Sequence, residues 1–588
     1  MRNDLSVAAL ACAAGILSAA FAAHAQSPRG GDDWPSFGHD GSNQRFAPFA
    51  AIDRDNVARL APSWTYPLGT VGSVQTHPIV IGGVMYIGMA GNDVAALDAA
   101  TGREIWRYRH VARRALPSIP SNRGVTVADG RVFEATDDAR VIALDVTTGK
   151  VIWDKAVLPY DTTALIPIGA KTPEVEFQFR AAPLAYDGKV IVGATGFEAN
   201  RLDDEFVKAS VAAGIDVGKA WIDANLGRRA FLAALDAQSG TEVWRWYTTK
   251  EDGWEGSFTP MSPDGTPLNR DVAAEKAAAA LYGNAWVAGS NSTWMTPALD
   301  TTSGLLFIGT GNPAPGDVDL VRPGDNLYAN GVAALDARTG ALRWFFQESP
   351  HGQYDATGQA VLFDAKVDGR TVPAVLECGK SGWCFAIDRA SGRLLFRSDE
   401  VVPHINTYAV PNLSPEGIRV SPGGGGAVSV SPVSYDPGSG VVYVAARHAP
   451  VIQTRVSVPN VPGGPALFKT VTKPVPAGET WGTLTALDMT KGGHVLWQVK
   501  TPEPLVGGTL ATAGGLVFMG EPNGHFNAYD AANGVVVWSV DTGAGVGAPP
   551  MSYVVNGRQF VAVATGRRAG EPPTRPGGAI RAFAFPAP

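Results

Sequence analysis

The sequence predicts an all-β chain of many short strands, and three observations carry that prediction. Gly 69, Pro 43 and Trp 15 among 588 residues mark frequent tight turns and large rings that need packing partners. A short motif recurs seven times: an apolar run into Asp, a turn ending in Gly, and a second run closing on an aromatic. Where copies are consecutive, their aspartates stand between about 42 and 52 residues apart, the period of a four-stranded unit.

The copies occupy 96–106, 143–153, 234–244, 334–344, 386–396, 486–497 and 528–538. Most read as a hairpin whose terminal ring must pack on a neighbouring unit. Units of this kind, repeated radially, protect their sheet edges. The expected architecture is an eight-bladed β-propeller with tryptophan-docking repeats and short helical insertions. Packing between blades is then the ordinary role of these tryptophans.

From the N-terminus, Arg2 precedes an apolar stretch over 7–23, and Ala23-His24-Ala25 forms an A-x-A cleavage pattern before Gln26. Residues 1–25 therefore read as a secretory signal peptide and 26–588 as one exported propeller domain. A membrane anchor fits less well, because the segment is short and ends in small residues. Cys12 has no leucine three residues before it, which argues against a lipid anchor. No later run is long and apolar enough to span a bilayer, so the mature chain is expected to be soluble. A net charge of −7 without a basic tract argues against a nucleic-acid partner.

Two segments break the β rhythm. Residues 203–222 carry Val207, Val211 and Ile215 at helical spacing, and 271–282 is Ala-rich behind an Asp in the capping position. The Pro-rich stretch 458–477 reads as a long surface loop. The stretch 307–358 carries the first candidate site: an apolar run stops at Gly311-Asn312-Pro313, and after one repeat unit the stretch reaches Asp355. Both polar groups are expected at loop ends on one face of a sheet. A neutral oxygen donor beside a carboxylate suits a hard cation, although Asn and Asp are also ordinary turn residues.

The strings GTGNPAP, RPGDNLY and PHGQYD resemble those of the quinoprotein alcohol dehydrogenases, periplasmic enzymes that use pyrroloquinoline quinone (PQQ) with a metal ion. The resemblance covers nearly the whole mature chain. It implies that Glu198, Asn312 and Asp355 hold the ion, with Asp355 also the catalytic base. Asp203, Asp204 and Glu205 compete with Glu198, which alone has the spacing. It further implies Trp294 as the apolar floor under the cofactor, Lys380 and Arg123 as cations for its oxygens, and Gln75, Thr195, Gly196 and Phe197 as lesser contacts. The implied reaction oxidises an alcohol to an aldehyde or ketone with two-electron reduction of PQQ. His351 is a rival base, better suited to a turn.

Departures from the family pattern matter too. The adjacent cysteines that often cover the cofactor are Pro117-Ser118 here, and bulky residues expected over it are Ser429, Val430 and Val506. This implies a wide pocket, with the insert 199–226 at its rim, for a bulky, secondary or fused-ring alcohol such as a trichothecene. Thr357 stands where lanthanide-using members carry a second aspartate, which points to calcium. No C-x-x-C-H occurs, so electrons are expected to leave to a separate acceptor, by analogy a soluble cytochrome c. Cys378 and Cys384 flank the Lys380 turn and would face each other across a hairpin, as a disulfide or as two thiols. The rival classes are a non-catalytic envelope scaffold and a PQQ enzyme of sugars or aldehydes.

Overall fold

Each copy of the recurring motif folds as the third and fourth strands of an antiparallel sheet. The first copy shows why. Asp98 Oδ1 accepts from the backbone N–H groups of Ala100 and Thr101, both at 3.0 Å, and the Asp98 carbonyl accepts from Gly102 N–H at 2.8 Å. That closes a tight turn in which Gly102 takes φ +72°, a region few side chains tolerate. A Cβ on Gly102 would also stand 2.5 Å from Cε3 of Trp64, whose indole N–H donates to the Ala99 carbonyl at 3.1 Å. Both glycine's left-handed φ and its missing side chain are therefore required by the docked tryptophan.

The computed structural model describes residues 32–69, 73–113, 121–157, 178–195, 202–224, 229–352, 354–476, 478–566 and 578–586. Among them, eight antiparallel sheets of at least four strands succeed one another, at 79–108, 126–156, 184–247, 298–347, 361–397, 434–501, 509–541 and 551–584. The last takes its fourth strand, Ala61–Pro67, from near the N-terminus, pairing it with Ala579–Ala584. This is a mostly-β propeller fold.

The docking contact repeats from sheet to sheet. Trp106 donates to the Val146 carbonyl, Trp153 to Ala237, Trp244 to Ala337, Trp344 to Arg389, Trp497 to Ala531 and Trp538 to Leu60, at 3.0–3.2 Å. The fifth sheet has Phe396 in that place, and the ring rests against the turn at Gly493. Apolar clusters fill the spaces between neighbouring sheets.

A segment at 32–47 threads the inner strands. Its carbonyls at Gly41, Ser42, Gln44 and Arg45 accept from Leu299, Leu362, Tyr435 and Ala511 N–H, and Trp34 bridges to Val80. It therefore bonds to the fourth, fifth, sixth, seventh and first sheets in turn. The fully buried Arg45 guanidinium donates to the carbonyls of Phe37, Thr509 and Pro550.

Helices α1 (Asp204–Ala212), α2 (Val217–Asp223) and α3 (Val272–Tyr282) are capped by Asp203, Asp216 and Asp271. The expected single helix over 203–222 is two, because the chain reverses at Gly214, φ +70°. The expected loop over 458–477 is loop at 459–466 and strand at Leu467–Pro474, which pairs with Val451–Val458, itself paired with Ile418–Val420. Its Thr and Val residues favour a pleated ribbon, and Leu467 and Val458 anchor it among α1, α2 and α3.

Candidate functional site

In sheets of alternating strands, second strands finish at the same end at which first strands begin. The predicted site residues fall there. Thr195 ends a second strand, and Asn312 and Lys380 follow others; Gln75, Arg123, Trp294 and Asp355 precede first strands. The segments carrying Gln75 and Arg123 run side by side, because Ser73–Val74 pairs in parallel with Ser121–Asn122.

Asp355 is fully buried. Its Oδ1 accepts from the Asn312 backbone N–H, and its Oδ2 is ion-paired with Lys380 Nζ. Backbone bonds knit the surroundings: Gly311 N–H to the Ser292 carbonyl at 2.8 Å, Ala356 to Thr310 at 3.2 Å, and Lys380 to Asp355 at 3.0 Å. Gly311 keeps this approach close, since a Cβ there would stand 3.2 Å from both Asp355 Oδ1 and Ser292 N and push them apart by a few tenths of an ångström. The Lys380 turn is clamped at its base by the Cys378–Cys384 disulfide, formed between residues directly opposed in register.

Trp294 links this carboxylate to Arg123. Lys380 Nζ lies 5.3 Å from the Trp294 ring centroid, and Arg123 Nη1 donates to the Trp294 carbonyl at 3.0 Å. The four side chains Gln75, Arg123, Thr195 and Trp294 each carry a buried polar atom with no hydrogen-bond partner among the described residues: Oε1, Nε, Oγ1 and Nε1. Such atoms are costly unless satisfied, so a flat group rich in oxygens fits this cradle. Burial, and secondly the charge of Arg180, lower the Arg123 guanidinium to about 9.

Gly196, Phe197 and Glu198 lie outside the described residues, as do Pro117 and Ser118. Among the described residues no three His, Cys, Asp or Glu side chains gather as a metal site, so a cation centre at Asp355 and Asn312 needs a further ligand such as Glu198. The competitors are otherwise engaged: Asp203 caps α1, accepting from Glu205 N–H at 2.7 Å, and Asp204 pairs with Lys469 at 2.5 Å. The oxygen donors present fit a hard cation.

Two buried groups were not legible in the sequence as site members. Glu348 and Glu377 flank Asp355, and burial pushes Glu348 up to about 8; burial first and Glu348 second push Glu377 well above the carboxylate range. The one signal for them was a charge inside the apolar run ending at the Lys380 turn. His351, the rival base, takes φ +61°, and its Nδ1 hydrogen-bonds the Gly324 carbonyl at 2.8 Å. Burial and then Arg322 hold it far below the usual imidazole range, so it is a neutral turn residue.

A cavity of about 870 Å³ opens at Asn312 and Lys380 and runs out past Tyr354, Tyr408, Val410 and Phe468. Ser429, Val430 and Val506 are not in its wall. Nor are α1 and α2, which pack behind α3 and Val318–Val321 and so support the wall from outside.

The propeller thus gathers a buried carboxylate, two cations and a tryptophan at one end of its sheets. The family model "Glucose/ethanol/alcohol dehydrogenase, beta-propeller domain", a PQQ family, matches residues 34–408 and 468–561, and the chain belongs to that family as a PQQ-dependent alcohol dehydrogenase. It is 30% identical over 566 residues to the quinohemoprotein alcohol dehydrogenase of Comamonas testosteroni, covering 91% of this chain and 72% of that one. It is 31% identical over 585 residues to quinohemoprotein alcohol dehydrogenase ADH IIB of Pseudomonas putida, covering 95% and 76%. The solved structure of the Comamonas testosteroni enzyme superposes with a TM-score of 0.73 at 28% identity, over 94% of this chain and 80% of that one.

Proposed function

We propose that this chain is a periplasmic, calcium-dependent member of the family that oxidises a bulky alcohol and hands electrons to a separate cytochrome c. The observation that carries the chemistry is Asp355: buried, fixed by Asn312 and paired with Lys380, two residues that line the cavity. PQQ, when bound, supplies the two-electron oxidant, and calcium a Lewis acid. Asp355 takes the substrate hydroxyl proton as general base. Lys380 and Arg123 place positive charge where oxygens gain electron density. Trp294, beside both cations, would offer the cofactor an apolar face.

Several finer features belong to the same reading. Residues 1–25 act as the export signal, and the chain of tryptophan docks, together with the strand shared by both chain ends, supports eight blades closed in a ring. Thr357 in place of a second acid, beside a site of oxygen ligands, favours calcium. The relatives named above are quinohemoproteins, and these 588 residues hold no C-x-x-C-H, so the propeller itself binds no haem through that motif. The family match skips 409–467, which includes Val410, Val451, Gln453 and Arg455 of the cavity wall, so substrate choice is this chain's own. The size of the cavity favours a secondary or fused-ring alcohol, of which a trichothecene is one example.

Dye reduction by purified protein, with and without PQQ and calcium, tests the reading: turnover should require both. Specificity constants for ethanol against large secondary alcohols test the substrate class. A clear preference for ethanol would overturn it.

A further inference from the structure

At the same end of the sheets, the second sheet exits through Thr136 into Asp137. Asp137 is fully buried, and both its carboxylate oxygens lack a hydrogen bond of good geometry, although the Ser121 backbone N–H faces them. Its own N–H donates to Asn92 Oδ1 at 3.1 Å, which fixes the turn. Two arginines act on it: Arg123, just before the first strand of the second sheet, and Arg180, just before that of the third.

Arg180 is held in the cofactor cradle. Its Nε donates to Gln178 Oε1 at 2.8 Å, Gln178 stands opposite Thr195 in the strand pairing, and the Arg180 carbonyl accepts from Arg123 N–H at 3.1 Å. Phe179, the residue before Arg180, donates its N–H to the carbonyl of Thr136, the residue before Asp137, at 3.1 Å, so the two backbones meet there. Arg123 and Arg180 are like charges, and a buried carboxylate acting on both offsets their repulsion.

We infer that Arg180 is a further cation for the cofactor's carboxylates, and that Asp137 is the buried counterion that sets how strongly Arg123 and Arg180 attract them. This rests on the PQQ reading above. An incoming polycarboxylate competes with ionised Asp137 for the same two cations, so neutral Asp137 favours binding and charged Asp137 opposes it. Burial raises the Asp137 carboxyl to about 7, with Arg180 opposing the rise, which puts the switch in an accessible range. The other charged groups facing it are Asp138 and Glu134; Asp93 stands behind Glu134, and His110 and Arg113 behind Asp138. His77, whose ring sits on the Arg123 carbonyl, is held neutral by burial and does not titrate in this window.

The test is PQQ affinity of the full chain in calcium, followed by tryptophan fluorescence from pH 6 to 8.5. Wild-type affinity should fall about tenfold as pH rises through 7, the equivalent of one pKa unit. Asp137→Asn should bind about tenfold tighter at pH 8 and lose that pH dependence, whereas a side chain needed only for packing would bind worse when changed. Arg180→Met should bind about tenfold weaker, with partial recovery in Arg180→Lys. A flat wild-type profile, which needs no variant to fold, overturns the inference; so does Asp137→Asn binding no tighter than wild type. Wild type that binds no PQQ at any pH overturns the parent reading and this inference together.

Discussion

Asp355 and Asn312 lie 43 residues apart in sequence, and the fold joins them with a hydrogen bond from one backbone to the other's carboxylate. Replacing Asp355 with Asn keeps the shape but removes the base, so turnover should fall about 10²- to 10⁴-fold while PQQ binding persists in part. Stopped-flow dye reduction and cofactor titration on one preparation would check both; near-normal turnover would sink the assignment. Glu198→Gln should weaken calcium retention, since a cation site depends on its ligand charge. Metal content after dialysis, measured beside wild type, decides it, and an unchanged value would move the third ligand elsewhere. The places of Asn312 and Asp355 were legible because one follows and the other precedes a strand within a distinctive string. Glu348, Glu377, Arg180 and Asp137 were not, because a buried charge among apolar neighbours has no short-range pattern and becomes visible only when sheets converge.

The motif hairpins were legible because turn chemistry and ring docking are both written locally. The strand Leu467–Pro474 was not: the prolines and glycines just before it do form a loop, but the pairing that stabilises the strand comes from a partner across the hairpin, and its anchoring from helices elsewhere in the chain. A motif-turn glycine and one from the turn between the first and second strands of the second sheet separate the two demands on Gly102. Gly102 and Gly130 have nearly the same φ, +72° and +71°, but a Cβ on Gly102 meets Trp64 whereas one on Gly130 meets nothing within 4 Å. Alanine at either site carries the left-handed strain of about 1–2 kcal/mol. Gly102→Ala should cost a further ~1–3 kcal/mol for displacing the docked ring. Urea midpoints of the two variants measure that difference, and equal midpoints would show that the dock gives way without cost.

At the scale of the molecule, the segment at 32–47 joins successive sheets to the candidate site. It bonds to the inner strands of successive sheets, and it carries Phe37, which packs with Ala182 and Met295 and lies 4.3 Å, centroid to centroid, from His77. Met295 follows Trp294 directly, and the His77 ring hydrogen-bonds the Arg123 carbonyl, 2.9 Å away. Phe37 therefore packs on the chain neighbour of Trp294 and on the ring that bonds Arg123. Phe37→Ala should cost ~3–5 kcal/mol by leaving a cavity that the surrounding strands cannot close. Because those contacts reach Trp294 and Arg123, PQQ affinity should drop as well. Val536→Ala, a change of similar kind on the exposed outer rim, should stay within about 0.5 kcal/mol and leave affinity intact. Thermal midpoints and PQQ titrations of both variants give the answer: if Phe37→Ala loses stability but keeps wild-type affinity, the segment joins the sheets without shaping the site.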